Sequence, residues 1–208
     1  MKLLLATSEL YPLIKTGGLA DACSGLVMAL RSLQQEVQVV LPAYSDALDM
    51  AENVELLGTL DVEACGRCRQ AKILRGKIRD FDGSVLLVAI DDLFARPGNP
   101  YQSSDGKDWW DNGERFGLFS RVVAEIAMNR AGLNWQPEVV HCHDWQTGLV
   151  PAWLQLEQVR PRTLFTIHNL AYAGLFPYEL FQGLGLPEPW WHFSKLEFYN
   201  NLSMLKAG

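Results

Sequence analysis

The sequence has no excess of positive charge: 18 Lys+Arg stand against 24 Asp+Glu, a formal net charge of −6. An acidic chain without basic runs is poorly matched to a phosphate backbone, which argues against nucleic acid as a partner. Long apolar runs are missing as well. The opening Met1-Lys2-Leu3-Leu4-Leu5-Ala6 breaks at Thr7-Ser8-Glu9, too soon for the core of a secretion signal. No stretch approaches the ~20 apolar residues that a membrane helix needs. Cysteine is sparse, with 4 in 208 residues, far from the density of a secreted disulfide scaffold. These absences together predict a cytoplasmic chain with no membrane partner. Also lacking are internal repeats, the nucleotide signatures GxGxxG and GxxxxGK[ST], a Ser/His/Asp nucleophile pattern and carboxylates paired at catalytic spacing.

What is present is an ordinary globular balance, 49% hydrophobic and 20% charged. A chain of this length fits one domain, here residues 1–208, and can bury roughly 70% of its unfolded surface. Lys2 to Thr7 reads as a buried strand. Leu19, Cys23, Leu26, Leu30 and Leu33 then mark one face of a helix, and Val37, Val39 and Leu41 a second strand closed by Pro42. Strand, helix, strand in succession predicts a right-handed parallel crossover and an α/β fold with a mostly parallel sheet. Alternating segments at Val54–Asp61 and Ala71–Ile78, split by Gly58, Gly66 and Gly76, predict an inserted antiparallel hairpin region.

Val85 to Ile90 reads as another buried strand, followed by a long polar loop from Arg96 to Asp108. Asp111 and Glu114 offer an N-cap for a helix carrying Phe116, Phe119, Val123 and Ile126 on one face. The alternation then repeats, with a strand at Val139–His141, a helix from Gln146 to Glu157 and a strand at Thr163–Ile167. The aromatic-rich remainder predicts helix near Leu196–Lys206.

Three polar segments follow predicted strands, and in an open parallel sheet such ends share one crevice. Lys15-Thr16-Gly17-Gly18-Leu19-Ala20-Asp21 places paired glycines and a cation before a helix start, a pattern suited to an anion and equally to a solvated turn. In His141-Cys142-His143-Asp144-Trp145, period two aims both imidazoles the same way. That is compatible with a metal, with a capping aspartate after buried imidazoles, or with an aromatic face for a sugar. Thr166-Ile167-His168-Asn169-Leu170-Ala171-Tyr172 sets an imidazole beside an amide, both able to donate and accept toward hydroxyl-rich ligands. Cys65-Gly66-Arg67-Cys68 has no second CxxC and reads as a turn.

Taken together, these three segments resemble the retaining glycosyltransferase family that contains bacterial glycogen synthases and plant starch synthases. Asn99-Pro100-Tyr101 and Leu196-Glu197-Phe198-Tyr199, running on to Leu205-Lys206-Ala207-Gly208, fit the same resemblance. It implies the Rossmann-like N-terminal domain of a glycosyltransferase-B fold, with the C-terminal nucleotide-binding domain lying outside this chain. It implies transfer of glucose from ADP-glucose to the non-reducing end of an α-1,4-glucan such as glycogen or a maltooligosaccharide, with retention, no cofactor and no metal. By position, Lys15 reaches the donor phosphates or glucose, with Gly17 and Gly18 as close backbone neighbours. Asp21, Asp144 and His168 face the glucosyl unit, Asn169 stands beside His168, and Tyr101 and Trp145 lie near the pocket. His168 and Asp144 are the catalytic candidates. The chain alone, lacking the opposite wall, is expected to be inactive. The competing expectation is a stand-alone glucan-binding module, which would have no use for a phosphate-reaching lysine.

Overall fold

The computed structural model describes residues 1–79, 81 and 83–208. Leu3 to Ala6 are buried on both faces of β1 (Lys2–Ala6), so this strand lies inside a sheet covered on both sides. Helix α1 (Gly18–Ser32) packs Leu19, Ala20, Cys23, Ser24 and Val27 inward and leads to β2 (Glu36–Pro42). Leu33 falls one residue past the helix and is exposed, so the apolar face ends a turn earlier than the spacing predicts. Full burial of a side chain such as Val27 contributes about 1.5–3 kcal/mol. A short α2 (Ser45–Met50) precedes a long hairpin, β3 (Glu52–Ala64) and β4 (Arg67–Lys77), and then β5 (Ser84–Ala89). The hairpin turns at Cys65 and Gly66, both with positive φ, which makes Cys65-Gly66-Arg67-Cys68 a tight turn. Gly58 and Gly76 lie within the strands, and Gly58 sits at a register shift.

Helix α3 (Asn112–Ala127) is buried along nearly its whole length. Its partners leave no room for side chains at two positions: a Cβ on Gly113 would lie 2.3 Å from Leu180, and one on Gly117 2.6 Å from Leu184. Asp111 does not cap this helix with its side chain; its carboxylate is held by Arg96 at 2.7 Å. Strand β6 (Val139–His143) runs into a 3₁₀ turn at Trp145–Thr147 and then α4 (Leu149–Leu154), followed by β7 (Arg162–Thr166). The single helix expected from Gln146 to Glu157 is thus broken at Gly148, where the backbone meets Met204.

The last segment folds as β8 (Leu175–Phe176), α5 (Tyr178–Gly183), β9 (Glu197–Phe198), β10 (Asn201–Ser203) and α6 (Met204–Ala207). The helix expected over Leu196–Lys206 forms only at its end, in α6, and strands and a turn take the residues before Met204. Tyr199 and Asn200 both take positive φ, making a two-residue hairpin turn, and β10 pairs with β9 on one side and β8 on the other. Pairing across the chain overrides local helical propensity here.

The seven-stranded sheet has the order β3-β4-β5-β2-β1-β6-β7. From β5 to β7 every pairing is parallel, and the hairpin extends the sheet antiparallel beyond β5. The long loop between β5 and α3 is ordered by Arg115. Its buried guanidinium donates to Leu93 O, Pro100 O and Asn112 Oδ1, all within 2.9 Å, and lies over Phe94, Trp109 and Phe116. A buried cation is tolerated where its donors are satisfied this way.

Candidate functional site

The chain travels from β1 outward to β2 and β5, then returns to place β6 and β7 on the other side of β1. The strand order therefore reverses between β1 and β6, and a crevice opens beyond the carboxyl ends of these strands. A cavity of about 800 Å³ occupies that position. Its walls come from the β1–α1 loop (Glu9, Thr16, Gly17, Gly18), the long loop (Asn99, Tyr101, Gln102, Asp108), Asn112 at the start of α3, and the segments after β6 and β7.

Asp144 follows β6 with φ 57° and ψ 178°, a backbone conformation that costs a non-glycine residue of order 1–3 kcal/mol. The surroundings enforce it. Asp144 N donates to Thr166 O at 3.0 Å, and Oδ1 accepts from His168 N at 2.7 Å and, more weakly, from Asn169 N at 3.4 Å. The side chain therefore does not cap the following turn; it clips the loop after β7 to the loop after β6.

His168 is exposed on the cavity wall, and its Nε2 lies 2.9 Å from Nδ1 of buried His143. His141, 4.2 Å from His143 between ring centroids, bonds Thr166 Oγ1 through Nε2. Burial is the main force lowering both His141 and His143, the latter to about 3, with the neighbouring imidazoles adding to it. Both are thus neutral packing elements near pH 7, and His168 is the imidazole that meets the cavity.

Gly17 and Gly18 line the cavity with open space around them, so a side chain there would project into the void. Trp145 packs edge-on against Phe116 at 5.0 Å and presents its remainder to the cavity. Asn169 lines the wall while its Oδ1 accepts from Ala171 N. Lys15 and Asp21 stand apart from the lining. They form an exposed ion pair at 2.7 Å just outside it, and the Asp21 hydrogen bond raises the Lys15 pKa. No Lys or Arg is among the described residues of the wall, which instead carries the carboxylates Glu9, Asp108 and Asp144.

Residues 2–208 match the model of the starch synthase catalytic domain. The chain belongs to the starch synthase catalytic domain family. Glycogen synthase of Hydrogenovibrio crunogenus is 58% identical over the whole of this chain, and that of Thioalkalivibrio sulfidiphilus 48%. The chain spans 43% of the length of each of these relatives. The catalytic domain of starch synthase IV from Arabidopsis thaliana, solved with ADP and acarbose, superposes with a TM-score of 0.81 at 24% identity. The match covers 99% of this chain and 42% of that one, and it shows that the fold is shared.

Within this starch synthase domain the residue that sequence reading passed over is Glu9. Only 2% exposed, it accepts from Thr16 N (2.6 Å), Thr16 Oγ1 (2.7 Å), Gly17 N (3.3 Å) and Tyr101 Oη (2.5 Å). One carboxylate thereby ties the glycine loop to the long loop. Tyr101 is anchored again by Ser8 Oγ at 2.9 Å, and burial, with Tyr44 and Glu9 nearby, raises its pKa well above the usual phenol value. The available signal was positional: Glu9 stands just past the carboxyl end of the first strand, where ligands of open sheets bind. Gln146, just past the end of β6, carried the same signal, whereas Asn112 carried none, because only the fold brings the start of α3 to the wall.

Proposed function

We propose that this chain is the acceptor-side half of a glucosyltransferase that moves glucose from ADP-glucose to the non-reducing end of an α-1,4-glucan with retention. The observation that carries the proposal is the cavity wall itself. It gathers carboxylates, amides and an imidazole suited to sugar hydroxyls, with no Lys or Arg among its described residues, and Lys15 stands next to Thr16 of the wall. The glucosyl unit sits among Asp144, His168 and Asn169. The diphosphate is received between Lys15 and a second domain that supplies the opposite wall.

Asp144 and His143 fix His168 from the peptide N–H and the ring respectively. This leaves the His168 carbonyl to face developing positive charge and the ring to hold a sugar hydroxyl, positioning made before the reaction begins. ADP and acarbose in the plant starch synthase support a nucleotide and a glucan-like ligand for this fold. No helix among the described residues is long and apolar enough to cross a membrane.

The test is transfer of label. The whole protein, incubated with radiolabelled ADP-glucose and glycogen, labels the glucan, and the product linkage is α. The 208-residue chain alone leaves the glucan unlabelled and still binds maltooligosaccharides weakly. Labelling by this chain at the rate of the whole protein would overturn the two-wall reading, and preference of the whole protein for another donor would overturn ADP-glucose.

A further inference from the structure

We propose that Cys23, His143 and His168 form a binding site for a thiophilic divalent metal ion of the zinc type, with an open coordination position facing the cavity. The three come from the middle of α1, the end of β6 and the loop after β7, so the spacing of ligands along the chain gives no hint of the set. One ligand atom from each lies within 4.8 Å of the other two. His141, which shares the period-two pattern with His143, is not in the group; its Nε2 is held by Thr166.

The geometry is close to what a tetrahedral ion needs. Nitrogens bound at about 2.0–2.1 Å must stand about 3.4 Å apart, and a thiolate bound at about 2.3 Å stands about 3.6 Å from each. The Nδ1 of His143 and Nε2 of His168 are 2.9 Å apart in the metal-free arrangement, so the imidazoles need open by only about half an ångström. Cys23 Sγ is fully buried, with a single weak hydrogen bond to Thr7 Oγ1 at 3.4 Å to give up.

His143 Nε2 is one of few buried side-chain atoms with no hydrogen-bond partner among the described residues. With Nδ1 turned to His168 and the ion, this nitrogen keeps its N–H and gains no partner from metal binding. The ligand set, one sulfur and two nitrogens, favours zinc and cobalt over magnesium or calcium.

On binding, the Cys23 thiol proton leaves to solvent and the sulfur becomes the thiolate ligand. Each imidazole stays neutral, with its N–H on the nitrogen that does not ligate. Water takes the fourth position from the cavity side, where His168 is exposed. Because the ion fixes the ring that the Proposed function assigns to a sugar hydroxyl, occupancy inhibits the enzyme; the metal is no part of transfer.

The test uses cobalt(II) as a spectroscopic probe on the 208-residue chain carrying Cys65→Ser and Cys68→Ser, which removes the two exposed thiols. The expected result is one cobalt per chain with a sulfur-to-cobalt charge-transfer band, displaced by zinc. Cys23→Ala loses that band, and His168→Ala, altered on the exposed side, weakens binding at least tenfold. Absence of a thiolate–cobalt band, or unchanged titration in both variants, overturns the site. This readout involves no glucosyl transfer, so it fails or succeeds independently of the reading of function.

Discussion

Glu9→Ala removes the acceptor that four donors share, and the structure shows why the loss is smaller than four bonds. Hydrogen bonds to a charged group contribute about 1.5–3 kcal/mol each. Thr16 and Gly17 are exposed, so water takes over their N–H and hydroxyl donors at little net loss. Tyr101 Oη keeps Ser8 Oγ at 2.9 Å and gives up only its bond to Glu9. The net destabilisation is therefore about 2–3 kcal/mol, which for a domain of this size lowers Tm by about 5–10 °C. Glu9→Gln should fall between the parent and Glu9→Ala, since its amide keeps one oxygen acceptor but turns an NH₂ toward the donors of the glycine loop.

Thermal unfolding by circular dichroism reads the global effect. Hydrogen exchange at the Thr16 and Gly17 amides reads the local one, because these amides lose protection only if the carboxylate holds the loop. A Glu9→Ala protein melting within about 1 °C of the parent, with those amides equally protected, would refute the clamp.

Gly148→Ala places a Cβ 1.8 Å from Met204 O, backbone against backbone, and should cost more than about 3 kcal/mol by the denaturation midpoint. A midpoint unchanged from the parent contradicts the close approach of the 3₁₀ turn and α6. Lys15→Ala, made in the whole protein, should raise the donor KM about tenfold or more while the acceptor KM stays put, the loss of one charge-assisted bond. Its stability should not change, since the Lys15–Asp21 pair is exposed on both sides. Equal donor KM values remove Lys15 from donor binding. Asp144→Ala releases His168 N and Asn169 N, and should lower kcat by about 10²-fold through misplacement of His168. A kcat within about threefold of the parent would mean that the clip does not position the reacting groups.

The sequence by itself determined the elements whose cause is local. Apolar runs without helical period gave β1 and β5, spacing of three and four gave α1 and α3, and glycine-marked alternation gave the β3–β4 hairpin. It also determined that the segments carrying Gly17, Asp144 and His168 meet, because parallel strands must end on one edge of the sheet.

Tertiary structure decided the rest. Residues Tyr199 and Asn200 accept left-handed conformations only because β8, β9 and β10 pair around them, so no helix forms there. Asp111 and Asp144 look like helix caps along the chain. Arg96 and the His168 amide compete for those carboxylates from segments 15 and 24 residues away, and they prevail. Glu9 reads as the end of an apolar run until the long loop folds over it and brings Tyr101 within reach. The cause in each case is the same: a polar side chain's partner is set by what lies within about 3 Å once the chain has folded, and that distance is not encoded in spacing along the sequence.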